Sequence, residues 1–137
     1  KPGHVVMQTY MPEHPIMRAL ASGDRDSFMQ RETESRRAHN MPPFGRLAAL
    51  IVSGSSEVQV TETAQRFATN APREKNIKIF GPAPAPLALL RGKHRHRLLI
   101  KTPRDINIQT ILRLWLDNVR VPSTVKVRVD VDPYSFL

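Results

Sequence analysis

From residue 125 to residue 132 the chain alternates without a break: Val125, Val127, Val129 and Val131 take one side, Lys126, Arg128, Asp130 and Asp132 the other. Successive side chains of an extended chain point to opposite faces, so this stretch is a strand with one buried and one wet face. A strand of that kind needs a sheet whose valine side is covered.

The elements that supply the sheet and its cover precede it. Leu47 to Val52 is an apolar run closed by Gly54, the pattern of a buried strand. Ser55-Ser56-Glu57 starts a helix on which Val60, Ala64, Phe67, Ala68 and Ala71 share one face, and Pro72 ends it. Ile77 to Phe80 is a second strand, followed by the stiff, extended Gly81-Pro82-Ala83-Pro84-Ala85-Pro86 connector. Leu87 to Leu90 and Leu98 to Ile100 read as two strand arms around a basic turn from Arg91 to Arg97. Asp105 is expected to cap a second amphipathic helix with Ile108, Ile111, Leu112, Trp115 and Val119 on one face. The order is β-α-β-β-α-β, an α+β fold in which a four-stranded sheet carries both helices on one face. The other face remains open.

Residues 1–43 read differently. Val5 to Tyr10 has the composition of a strand bounded by Pro2-Gly3 and Pro12, but no partner strand accompanies it. Residues 13–21 and 24–38 read as helices, with Asp24 as N-cap and Arg36-Arg37 where the helix dipole favours cations. Pro42-Pro43 stops the second helix. Too few large apolar residues are present for an independent core, so this strand-helix-helix stretch reads as the edge of another domain. The two expected domains are residues 1–43 and 44–137, and the chain as a whole reads as a piece of a longer protein.

Charge separates the same two parts. Of the formal +9, residues 1–43 carry a net +1 and residues 44–137 a net +8. Six Lys/Arg fall within residues 91–104 without one acid. In an extended chain Arg95, Arg97, Leu99 and Lys101 share a face opposite His96, Leu98 and Ile100, which turns the cations away from the helices. Lys126 and Arg128 also point away from their valine face. If the two outward faces coincide, the sheet presents a surface suited to phosphates. The candidate residues for binding a nucleic acid through its phosphates are therefore Arg91, Lys93, Arg95, Arg97, Lys101, Lys126 and Arg128. The plainer alternative is a solvated hairpin that keeps the domain soluble; the clustering of unopposed charge favours binding. Few aromatics remain to stack bases.

Other chemistry finds little support. With no cysteine, thiolate metal sites and disulfides are excluded within these residues. His94 and His96 stand among cations, and the remaining histidines lack ligand spacing, so no metal site is expected. No phosphate-cradling GxxxxGK[ST] loop and no readable acid–base pair occurs, so no catalytic residue is assigned. Trp115 belongs to the core, and Asp130-Val131-Asp132-Pro133 reads as a strand-terminating cap. No signal peptide and no apolar stretch of membrane-spanning length is present, which fits a cytoplasmic setting and no membrane partner.

Several segments together resemble the primosomal protein N′ (PriA) helicase family. Val5 to Pro15 resembles the stretch after that family's last helicase motif. Asp24, Phe28, Glu32, Arg36, Arg37, Pro42, Pro43 and Phe44 fit its D-Y-x-x-F-x-x-x-E-L-x-x-R-R…P-P-F pattern, with Arg25 and Thr33 standing where the family has Tyr and Leu. Gly81 to Pro86 is similar to its G-P-A-P-A-P segment. Arg95 and Lys101 fit its Y-R-W-x-x-L-x-K strand, with His94 and His96 in place of Tyr and Trp. Asp130 to Leu137 fits its terminal D-V-D-P-x-S-F/L-L.

The resemblance implies a tail of the second helicase lobe up to residue 43, then a C-terminal domain similar to a small-subunit ribosomal protein. It implies a parent that is a bacterial ATP-dependent 3′-to-5′ DNA helicase restarting replication at stalled forks. ATP, Mg and zinc would belong to that parent, and no cofactor to these residues. Implied partners are forked or single-stranded DNA, single-stranded DNA-binding protein and other primosome proteins. Two further readings stay open: a docking module whose arginines receive an acidic peptide tail, and a stand-alone RNA-binding domain.

Overall fold

A computed structural model of the chain describes residues 3–133. The chain divides into two compact units, Lys1–His39 and Asn40–Leu137.

In the first unit, Pro15–Ser22 forms α1 and Arg25–Ala38 forms α2. His14 Nδ1 accepts from the Ile16 amide at 3.3 Å to start α1, and Gly23, at φ 69°, ends it. Asp24 caps α2 as expected: its carboxylate accepts from the Ser27 amide at 3.0 Å and from the Ser27 hydroxyl at 2.6 Å. Ala19 is the buried residue of these helices, and α2 buries none, which agrees with the shortage of apolar residues. The strand expected at residues 5–10 does not form, and Val5, Val6 and Tyr10 are exposed. The reason is physical: a strand needs a neighbour for its backbone groups, and this segment has none among the described residues.

The second unit realises the β-α-β-β-α-β order. Its elements are β1 Gly45–Gly54, α3 Glu57–Thr69, β2 Lys78–Leu90, β3 Lys93–Pro103, α4 Ile108–Asp117 and β4 Val125–Val131. The strands form one antiparallel sheet in the order β2-β3-β1-β4, so β1 lies inside although it comes first. This is the split β-α-β arrangement.

The two helices cover one face. Ala48, Leu50 and Val52 of β1 and Leu98 and Ile100 of β3 meet Val60, Ala64 and Phe67 of α3 and Ile108, Leu112 and Trp115 of α4. The Phe67 and Trp115 rings meet edge to face at 5.9 Å and 83°. The indole Nε1 donates to the Phe67 carbonyl at 2.9 Å, so burying the tryptophan leaves no donor orphaned.

Local signals explain most boundaries, and three of them differ from the sequence expectation. The side chain of Ser56 caps α3, and the helix ends at Asn70, before Pro72. The N-cap of α4 is Asn107, whose side chain accepts from the Thr110 amide, and not Asp105. The turn between β2 and β3 is only Arg91-Gly92, both with positive φ (50° and 71°), a two-residue hairpin turn matched to strand twist. Lys93 to Arg97 are therefore strand residues. The proline run is itself part of β2, with register shifts between Phe80 and Ala83 and between Pro84 and Leu89. Gly81, at φ 95°, sits in the first shift, where a Cβ would lie 2.7 Å from the Arg97 carbonyl oxygen. At the far end of the sheet, Asp132 acts as the expected cap: its carboxylate accepts from the Leu47 amide at 3.2 Å and pairs with Arg46 at 3.3 Å. Tyr134-Ser135-Phe136-Leu137 lies outside the described residues.

Leu50 is fully buried at the centre of the sheet. Leu50→Ala should lower the unfolding free energy by about 3 kcal/mol, whereas Leu89→Ala on the exposed hairpin should stay within about 0.5 kcal/mol; urea denaturation measures both.

The Ser27 hydroxyl and then the Ser27 amide hold the Asp24 carboxyl below the usual aspartate range. A lowered folded-state pKa means that the cap contributes above the ordinary value of about 3.9 and is lost as pH falls through the lowered one. The Ser27 amide resonance should therefore shift in acid below about pH 4, and Asp24→Ala should abolish that titration.

Candidate nucleic-acid interface

The face of the sheet away from the helices collects the cations. Cross-strand partners share a face, so the register fixes which side chains stand together. Arg95, Ser53 and Lys126 form one row across β3, β1 and β4. Arg97, Ile51 and Arg128 form the next. Strands lie about 4.8 Å apart and rows about 6.8 Å apart, so four cations fall within an area of roughly 10 by 7 Å. The two outward faces inferred from the β3 and β4 patterns therefore coincide, because β1 pairs with both strands.

The other candidates sit around this group. Lys93 starts β3 opposite Leu90, on the same face nearer the turn, and Arg91 occupies the turn itself. Lys101 lies toward the opposite end of β3, with its Nζ 5.6 Å from the centre of the Phe80 ring. Among the described residues no ion pair neutralises Arg97, Lys126 or Arg128.

Arg95 has a different task. Its Nη1 donates to the carbonyl of Pro86 at 3.1 Å and toward that of Leu87 at 3.5 Å. These carbonyls belong to the segment where β2 leaves its register with β3, so the ladder cannot satisfy them. The guanidinium fixes the segment, with Leu87 held at φ 56°, against the open face. Ala85 is buried beneath it. The result is a half-open cavity of about 270 Å³ with Ala49 and Ile51 as its floor. The Ala85–Pro86–Leu87 segment forms one wall, and Arg95, Arg97, Asp130 and Pro133 complete the rim.

Sequence reasoning missed three parts of this surface. Phe80 is an aromatic on the open face, 47% exposed, because it pairs with Leu99. Lys78 adds a cation directly opposite Lys101. Both would follow from extending the Ile77–Phe80 alternation into the register with β3, but that register is not a local property. The third part is the Arg95 contact, which depends on the bulged path of β2.

His94 and His96 of β3 lie on the helix side of the sheet. His94 Nδ1 is 3.9 Å from a Glu57 carboxylate oxygen, and His96 Nδ1 is buried without a hydrogen-bond partner. Among the described residues no three His, Asp or Glu side chains gather as a metal site. No helix of the described residues is long and apolar enough to cross a membrane.

Comparison with known proteins gives one consistent result. A family model described as Primosomal protein N C-terminal domain matches residues 37–134. Replication restart protein PriA of Rickettsia typhi is 41% identical over 134 residues, covering 98% of this chain and 20% of that protein. The Synechocystis protein of the same name is 36% identical over 137 residues, covering 98% and 16%. That of Bacillus subtilis is 29% identical over 142 residues, covering 100% and 18%. The chain thus spans about a fifth of the length of the curated relatives it matches.

Because Arg95 holds the bulge, Arg95→Ala should accelerate amide exchange and proteolysis at residues 85–88. Arg97→Ala, which removes the same charge from the same strand, should leave both unchanged. Hydrogen exchange followed by mass spectrometry separates the two.

Proposed function

The chain belongs to the Primosomal protein N C-terminal domain family, and from that premise we propose that it is the DNA-contacting module of a replication-restart helicase. Its task is to hold single-stranded or forked DNA while ATP-driven unwinding, in a bacterial parent that assembles the primosome, takes place on other domains. The observation that carries this reading is the convergence of Arg97, Lys126 and Arg128 on one open sheet face around Ile51, with no acid paired to them among the described residues.

Arg97, Lys126 and Arg128 at this spacing repel one another. A polyanion relieves this repulsion, and its condensed counterions are released on binding. Phe80, half-exposed at the edge of the same face, offers a ring on which a base can stack. The chain itself acts by binding and positioning, without a catalytic residue.

A second reading is favoured by one observation. Leu87, Leu89 and Leu90 are exposed beside Arg91 and Lys93. Apolar side chains rimmed by cations suit an acidic peptide, such as the tail of single-stranded DNA-binding protein, and other primosome proteins have the same face available. Phosphate contacts respond to salt in proportion to their number, whereas a docked peptide saturates one site and depends on apolar contacts.

Fluorescence anisotropy of labelled single-stranded and forked DNA over a salt series tests the first reading. The intact chain should bind, with affinity falling steeply as salt rises. Arg97→Ala/Lys126→Ala/Arg128→Ala should reduce the slope of log K against log salt by about 0.7 for each phosphate that is no longer neutralised on single strands. Absence of binding at low salt would refute it. Binding that is insensitive to both salt and the triple substitution would move the site elsewhere.

A further inference from the structure

The cavity on the open face combines features that phosphate binding alone does not need. Its floor, Ala49 and Ile51, is apolar, and its wall of Ala85, Pro86 and Leu87 is apolar and held in place by Arg95. Two polar groups remain on the rim with no hydrogen-bond or ion-pair partner among the described residues: the guanidinium of Arg97 and the carboxylate of Asp130. We infer that this cavity takes one unpaired nucleobase of a bound strand, and that Asp130 selects bases that carry an exocyclic amino group.

The inference rests on the DNA-binding reading and specifies what that site recognises. A cavity of about 270 Å³ accommodates one base with part of its sugar but no base pair, so the strand must be unpaired there. An apolar floor and wall suit the faces of a flat heterocycle, which is how strands are gripped without regard to sequence. The backbone phosphate then lies toward Arg97 and, across Ile51, toward Arg128.

Asp130 stands opposite Ala49 in the β1–β4 ladder, next to the Arg97–Ile51–Arg128 row. An acid on a surface that binds a polyanion is unfavourable unless it has a task of its own. A carboxylate accepts hydrogen bonds and has none to donate. Of the edges a base presents, the amino group of cytosine is a donor that a carboxylate accepts. Uracil at the same position presents a carbonyl oxygen, which the carboxylate repels. The same argument disfavours a peptide's terminal carboxylate, because Asp130 would face it while Arg95 is already engaged.

The test compares a labelled dC dodecamer with a dU dodecamer, which differ only in the donor–acceptor pattern of the base edge. Anisotropy is measured on the 137-residue chain and on its Asp130→Asn variant. One charge-assisted hydrogen bond in a half-open site corresponds to about fivefold tighter binding of dC over dU. Asp130→Asn keeps the shape but lets the amide either accept or donate, so the dC/dU ratio should collapse to about one while both affinities rise with the lost negative charge. Equal binding of the two oligomers by the intact chain overturns the inference, as does a preference that survives in Asp130→Asn. If neither oligomer binds at low salt, the DNA-binding reading itself has failed. An acidic peptide that displaces the oligomer, and binds more tightly to Asp130→Asn without any dC preference in the intact chain, would make the cavity a peptide site and reject the base-selective one.

Discussion

Strand β1 is the constraint on which the rest of the structure depends. It is hydrogen-bonded to β3 on one edge and β4 on the other, over ten and seven residue pairs. On one face its Ala48, Leu50 and Val52 form the centre of the core under both helices. On the other its Leu47 and Ala49 are also buried, and Ile51 lies between two arginines. That double pairing brings the cations of β3, which come from the hairpin, beside those of β4, which come from the end of the chain. A slip of one residue in either ladder would turn the arginines into the core and the valines outward, so burial on the helix side also fixes the charge on the open side.

The sheet was legible because its signals are periodic and local. The Val125 to Asp132 alternation and the amphipathic faces of α3 and α4 each state a face and a period, and the split β-α-β order satisfies all of them together. Where the expectation failed, the missing information was non-local. Val5 to Tyr10 has strand composition, but a strand exists through its partner, and here there is none. Asp105 and Asn107 are both good caps, and Asn107 holds the position because Ile108 begins the buried face of α4. The chemistry of the open face was half legible: the cations were readable from alternation, while Phe80 required the β2–β3 register and the cavity required the register shifts that follow it, where Gly81 and the prolines lie.

Arg95 shows why a basic run does not translate residue by residue into ligand contacts. A bulged strand leaves carbonyls without ladder partners, and a guanidinium carries enough donors to serve two of them. The charge that makes the hairpin look like a phosphate site is at this position committed to architecture. Arg97, which lines the same cavity, makes no such contact among the described residues. On the proposed reading, positioning and binding are divided between alternate residues of one strand, Arg95 and Arg97, which the sequence presents as equivalents.

The central claim, that the open face of the sheet and not its helical face receives the nucleic acid, is tested most directly by backbone amide chemical-shift mapping with an unlabelled single strand. Shifts should concentrate at Ile51, Ser53, Arg97, Lys126, Arg128 and Phe80, with α3 and α4 unchanged. Shifts that concentrate on the exposed sides of α3 and α4, with β1, β3 and β4 unchanged, would contradict it.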